Sequence, residues 1–225
     1  MIRRYRKRRF YLFFTLIICV ISMSIGFSAF SSELSISSSA IVRPDSGSFK
    51  VLFSSSGTEY LTDKINGVVV DGDASGGQAT IDNTGDSSKI SDLTATFTDQ
   101  NQSVKYEFYA YNAGAYNAYL TDIIFKNVSG EGSNKLCTAI GSASEALVQD
   151  ACNDINVSVD VESNISVMGS TNGIKNHILA KGTYEKVVVT ISYASGDNLA
   201  DGDFRVEFGD IELTYSSVNP DSSIN

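Results

Sequence analysis

From Val104 to Tyr111 the chain alternates without a break. Val104, Tyr106, Phe108 and Ala110 fall on one side, and Lys105, Glu107, Tyr109 and Tyr111 on the other. A period of two sends successive side chains to opposite faces, the pattern of a strand with one dry side and one wet side. Just upstream, Leu93, Ala95 and Phe97 alternate with Thr94, Thr96 and Thr98, and a third run restarts at Tyr116 and continues to Phe125. Asn112-Ala113-Gly114 interrupts the pattern. Asn and Gly tolerate the positive φ of a turn, so the chain is expected to double back there. Leu93–Phe125 is therefore read as three strands and two turns at the middle of the fold. Five tyrosines lie between Tyr106 and Tyr119, each with a broad apolar face and a hydroxyl able to stay wet.

The same reading extends in both directions. Leu34, Ile36, Ser38, Ala40 and Val42 form a weakly apolar, Ser-rich first strand that ends before Pro44. Phe49–Phe53, Gly67–Asp71, Gln78–Asp82, Ile155–Val161, Val187–Tyr193, Phe204–Phe208 and Ile211–Tyr215 follow as strands, the last two as a hairpin around Gly209-Asp210. Ile174–Leu179 is ambiguous and Lys126–Asn134 is a loop. One short helix is expected near residues 144–151, where Ser144 precedes Glu145-Ala146-Leu147-Val148-Gln149 as an N-cap. The fold class is all-β, an antiparallel two-sheet sandwich or jelly roll of roughly ten strands.

The first residues belong to a different solvent. Residues 1–9 hold Arg3, Arg4, Arg6, Lys7, Arg8 and Arg9 with no acid, and Phe10–Phe30 carries no charge. This is a hydrophobic export helix, with the basic end retained inside and the rest of the chain outside. Its length, about twenty residues, suits a membrane anchor as well as a signal peptide. Ala29 and Ser31 would allow a signal peptidase to cut before Ser32. The domains are thus residues 1–31 as signal or anchor, 32–217 as the β domain, and 218–225 as a polar tail, with membrane contact only through residues 10–30. Beyond the leader, 11 Lys+Arg face 26 Asp+Glu, an acidic surface that opposes nucleic acid and anionic lipid.

Little catalytic chemistry is on offer. Cys19 lies in the apolar segment, leaving Cys137 and Cys152 as the pair able to form a disulfide in an oxidising compartment, with two free thiols as the alternative. His177 is the single histidine, no GxSxG, HExxH or CxxC occurs, and the residue reads as a surface strand or loop position. Asp71-Gly72-Asp73 and Asp197, Asp201, Asp203 read as acid turns, with calcium as the less favoured alternative because neither has EF-hand spacing. No cofactor and no enzymatic activity are expected.

The segments GFSAFSSELSISSSAIV (Gly26–Val42), the Phe49–Phe53 strand, ISDLTATF, SVKYEFYAYNAGAYNAYLTDI and VVVTISYASGDNLADGDFRVEFGDIELTY are similar in order and phrasing to the TasA/camelysin family. These are exported jelly-roll proteins of Gram-positive bacteria that form extracellular matrix fibres. Phe108-Tyr109-Ala110-Tyr111-Asn112-Ala113-Gly114 matches the family's central F-x-x-x-N-x-G element. Some relatives have been described as metalloproteases, an activity not carried over because no zinc-ligand motif is present. The resemblance implies a biofilm-matrix or cell-surface subunit that self-associates, with Leu34–Val42 donated to the sheet of the next copy. The alternative is a monomeric, membrane-anchored binding module whose Tyr109, Tyr111, Tyr116 and Tyr119 contact a glycan or host protein. Cross-strand packing among those tyrosines is the simpler account of them.

Overall fold

The computed structural model describes residues 49–57, 64–84, 88–162, 164–168 and 177–219. All of them fall in one compact unit, Arg43–Asn225. The export segment and the candidate donor strand Leu34–Val42 lie outside the described residues.

The described residues contain sixteen strands and one helix. The strands are β1 (Val51–Ser54), β2 (Lys64–Asn66), β3 (Val68–Asp71), β4 (Ser75–Gly76), β5 (Gln78–Asp82), β6 (Ser88–Ser91), β7 (Thr94–Phe97), β8 (Gln102–Asn112), β9 (Ala118–Phe125), β10 (Lys135–Ala139), β11 (Ile155–Val161), β12 (Asn164–Val167), β13 (His177–Leu179), β14 (Tyr184–Tyr193), β15 (Phe204–Phe208) and β16 (Ile211–Ser216); helix α1 (Glu145–Cys152) sits between β10 and β11. The all-β class is as expected, but the strand count exceeds ten. The additional strands β2, β4, β6, β10 and β12 are two to five residues long. Segments so short carry too few alternations to register as a period.

Three antiparallel sheets result. Sheet A has the order β1-β8-β14-β11-β12, with β3 also paired to β8; sheet B runs β13-β9-β16-β6-β5-β2; sheet C runs β10-β15-β7-β4. Four chain segments pass directly from one of the last two sheets to the other. The crossings lie at Gly77, at Asp92-Leu93, at Gly209-Asp210 and through 126–134. Backbone bonds continue across these breaks, Gly77 N–H donating to Thr94 O (3.0 Å), Phe208 N–H to Leu93 O (2.9 Å) and Lys126 N–H to Asp210 O (2.8 Å). Sheets B and C thus behave as one ribbon layer creased across its middle, the corner geometry by which strands change sheets.

Two local expectations are corrected. Phe204–Tyr215 is not a hairpin: β15 pairs with β7 and β10, whereas β16 pairs with β6 and β9. At the crease Gly209 N–H donates to Asn134 O (3.1 Å), and a Cβ at 209 would run into the carbonyl groups of Lys126 and Asn127. Glycine here is required by the close crossing of a neighbouring chain, not by a tight turn. Nor does the chain double back on itself at Asn112. β7, β8 and β9 belong to sheets C, A and B respectively, so the central stretch Leu93–Phe125 gives one strand to each sheet.

The inner faces meet in a single apolar cluster. Phe53, Phe108 and Val189 come from sheet A, Leu120, Ile90 and Ile211 from sheet B, and Phe97, Phe204 and Val206 from sheet C, all at most 1% exposed. Phe53 and Phe108 pack at 4.8 Å, and Tyr193 meets Phe204 edge-on at 5.3 Å. Burying each such ring contributes about 1.5–3 kcal/mol. Apart from Ile90 on the short β6, the members named here stand in the alternating runs that the sequence marks as strands.

Helix α1 begins after Ser144 as expected, but the Ser144 side chain makes no capping bond. The helix is held from outside instead. Ser144 N–H donates to Asp201 Oδ1 (2.7 Å), Ala139 N–H to Glu145 Oε2 (3.2 Å), and Gln149 Nε2 to Cys137 O (2.9 Å). Cys137 and Cys152 are joined by a disulfide with Cα atoms 6.0 Å apart, tying the end of the helix to β10. Closing a loop of this length is worth about 3 kcal/mol in the chain-entropy model, and the bond fits a non-reducing compartment.

Candidate functional site

A strand with one unpaired side offers backbone donors and acceptors to another chain. Along one side, β8 is covered by β14 over its whole length. On its other side, among the described residues, it meets two four-residue strands, β1 opposite Tyr109–Asn112 and β3 opposite Ser103–Lys105. All four residues of β3 are exposed, and Val68, Val69 and Val70 retain 52%, 42% and 49% of their surface. Three β-branched residues side by side in solvent carry high strand propensity with no core to satisfy. Asp71, the fourth, accepts from Ser103 Oγ (3.1 Å), and Gly72 follows at φ +70°. The acid turn expected at Asp71–Asp73 therefore closes this edge strand.

The four tyrosines singled out as surface contacts do not share one strand face. Tyr109 and Tyr111 lie on the outer face of sheet A, half-buried, with Tyr111 stacked on its cross-strand partner Tyr184 at 4.3 Å. Tyr119 sits on β9 of sheet B opposite Ile178, and Tyr116 is 54% exposed in the turn before it. Cross-strand packing accounts for Tyr111, though through Tyr184 instead of another member of the set. Tyr106 and Tyr193 do not keep wet hydroxyls. Tyr106 donates to Thr94 O, Tyr193 donates to Asn198 O (2.7 Å), and burial pushes the Tyr106 hydroxyl above its ordinary pKa.

Asn112 ends β8 by a mechanism other than positive φ, since its backbone is not among the left-handed residues. Its fully buried side chain donates to Tyr116 O (2.8 Å) and Leu179 O (2.9 Å) and accepts from Gly114 N–H (3.0 Å). The last bond is an Asx turn, and the other two tie β13 and the β9 approach to the end of β8. Asn112 is thus the node on which this end of the domain is assembled.

Beside it lies a polar cluster within the core. Glu185 is 3% exposed, accepts from the Tyr215 hydroxyl at 2.6 Å and lies 2.7 Å from His177 Nε2. The three residues come from β14, β16 and β13, so the cluster bridges sheets A and B. Burial raises the Glu185 pKa against the opposing pull of Tyr215 and His177. Burial, then the neighbouring Glu185, push the Tyr215 hydroxyl well above the usual tyrosine range. His177, expected at the surface, is half-buried on a strand, with its ring locked to a buried acid. The two hydrogen bonds join β13, β14 and β16 into a polar clasp between sheets A and B. Sequence reasoning missed Glu185 and Tyr215, although the signal was present. Glu185 continues the inward phase Val187-Val189-Ile191, and Tyr215 the phase Ile211-Leu213.

Asp201, from the second acid group, accepts from Ser144 N–H. No helix of the described residues is long and apolar enough to cross a membrane. Compared with protein-family models, characterised proteins and solved structures, the chain matches none.

Proposed function

We propose that the chain is an exported jelly-roll subunit of a bacterial surface or biofilm-matrix fibre, related to the TasA/camelysin proteins. In this reading, Leu34–Val42 of one copy adds as a strand to an open edge of the next. The observation that carries it is β3: three exposed valines on a short strand at the side of β8, the β-branched surface that an added strand would cover. Head-to-tail addition of this kind does not close and yields a filament. The disulfide and the basic, then apolar, leader support export. A monomeric tyrosine-bearing binding module is the weaker reading, because Tyr111 is occupied by Tyr184 and the four tyrosines share no one face: Tyr109 and Tyr111 lie on sheet A, Tyr119 on sheet B and Tyr116 in a turn.

The test compares protein beginning at Ser32 with a version lacking residues 32–42, both viewed by electron microscopy after incubation. Filaments from the first and none from the second are expected. Equal filament formation by both would discard strand donation.

A further inference from the structure

On the outer face of sheet C the crease leaves a polar groove of about 290 Å³, lined by Ser75, Gly76, Gly77, Asp92, Thr94 and Arg205, among others. Its size lies at the lower end of the about 300–1,000 Å³ typical of small-molecule sites. The register builds one wall as a row: Arg205 faces Thr96, and Thr96 faces Ser75. Two hydroxyls therefore run beside one guanidinium across three strands. Glu207, two residues along β15 and paired with Thr94, lies on the same face. Asp92 closes one end, with one carboxylate oxygen held by Thr80 Oγ1 at 2.7 Å.

The floor is bare backbone, and it is fixed. A Cβ at Gly76 would lie 2.5 Å from Gly67 Cα, and one at Gly77 would meet the Thr94 hydroxyl. Beneath it the buried Tyr106 hydroxyl bonds to Thr94 O and reaches Gly77 O at 3.3 Å. The groove is thus shaped before anything enters, which is what a binding site needs to avoid ordering costs. Arg205 is the only arginine among the described residues. It is exposed and forms no ion pair there, despite the acids around it.

We infer that this groove binds a short neutral saccharide. One cation against two carboxylates gives a net negative groove, which opposes phosphate, sulfate and acidic polymers. A cationic group, which only donates, would leave the exposed Arg205 guanidinium without an acceptor. What remains is an uncharged molecule whose adjacent groups both give and take hydrogen bonds, as vicinal sugar hydroxyls do. Arg205 donates, Glu207 and Asp92 accept, and Thr94, Thr96 and Ser75 do either. The lining is polar and lies on a sheet face, with no apolar recess for an amino-acid side chain. No aromatic ring lines it, so a single site binds weakly, and repeated copies would raise the avidity.

The test is saturation-transfer NMR on the full chain in detergent micelles, with chitotriose, maltotriose and cellotriose as probes and glucuronate and triglycine as comparators. Transfer to at least one trisaccharide is expected, with affinity lowered about tenfold or more in Arg205→Gln, by loss of charge-assisted bonds, and lowered also in Thr96→Val. No transfer to any trisaccharide would overturn the inference. So would equal affinity in both variants, or binding of glucuronate or triglycine as strong as that of the best sugar. The far-ultraviolet circular dichroism of each variant must match the parent for its result to count, and the two substitutions lie on different strands so that one suffices.

Discussion

Replacing Tyr215 by Phe removes one oxygen and leaves the ring in place. The parent bond is a 2.6 Å hydroxyl contact to a carboxyl group that is 3% exposed. Without it, Glu185 Oε1 has lost its donor inside the core, and an unsatisfied buried acceptor costs about 1–3 kcal/mol. For a domain of this size that corresponds to a fall in Tm of roughly 2–12 °C. The companion variant Glu185→Gln keeps an acceptor for Tyr215 while abolishing the charge. Because burial raises the folded-state pKa of Glu185 above its unfolded value of 4.5, the native protein holds this proton more tightly than the unfolded chain does. Stability from this group is complete below the unfolded value and declines as pH climbs through the raised folded value. Glu185→Gln lacks that decline, so the advantage of the parent over the variant must shrink as pH rises above 4.5. Urea unfolding of the full chain and both variants in detergent micelles, followed by fluorescence at several pH values, reads both effects. A pH-independent difference between parent and Glu185→Gln, or a Tyr215→Phe variant as stable as the parent, would refute the clasp.

Three further outcomes follow from other parts of the fold. Cys152→Ser should cost about 3 kcal/mol, and a reducing agent should lower the Tm of the parent by a similar amount while leaving the variant unchanged. Val69→Lys places a charge on an exposed edge and should leave Tm within about 2 °C, since surface changes stay within about 0.5 kcal/mol; filament formation, scored by electron microscopy, should fall sharply. Asn112→Ala strands the carbonyl of Leu179 and the N–H of Gly114. It should destabilise by about 1–3 kcal/mol for each group left unpaired, and hydrogen exchange should quicken in β13 before the rest of sheet B.

The sequence disclosed what repeats and concealed what occurs once. Val104–Ala110 and Ile155–Val161 announce their buried faces because a half-covered strand must alternate, and the structure buries those residues as the pattern requires. The pairing partners were not legible. Phe204–Phe208 and Ile211–Tyr215 look like a hairpin because two apolar runs flank Gly-Asp, yet nothing local tells a turn from a crease. The difference lies in the Lys126 and Asn127 backbone more than eighty residues away, which leaves no room at Gly209. Even the exceptions to alternation had a meaning only distant contacts could supply. Glu185 breaks an otherwise apolar inward series, and alone it reads as the frayed start of a strand. Placed opposite Tyr215 and His177, it becomes a buried polar join between two sheets. Short β3 shows the converse: Val68-Val69-Val70 has the composition of a core strand, and only its position beside β8 exposes both of its faces. An apolar triplet left in water at a sheet edge is a cost to the isolated domain, and addition of a strand there would relieve it. That is why this edge, and not the tyrosine row, is the surface on which the assembly argument turns.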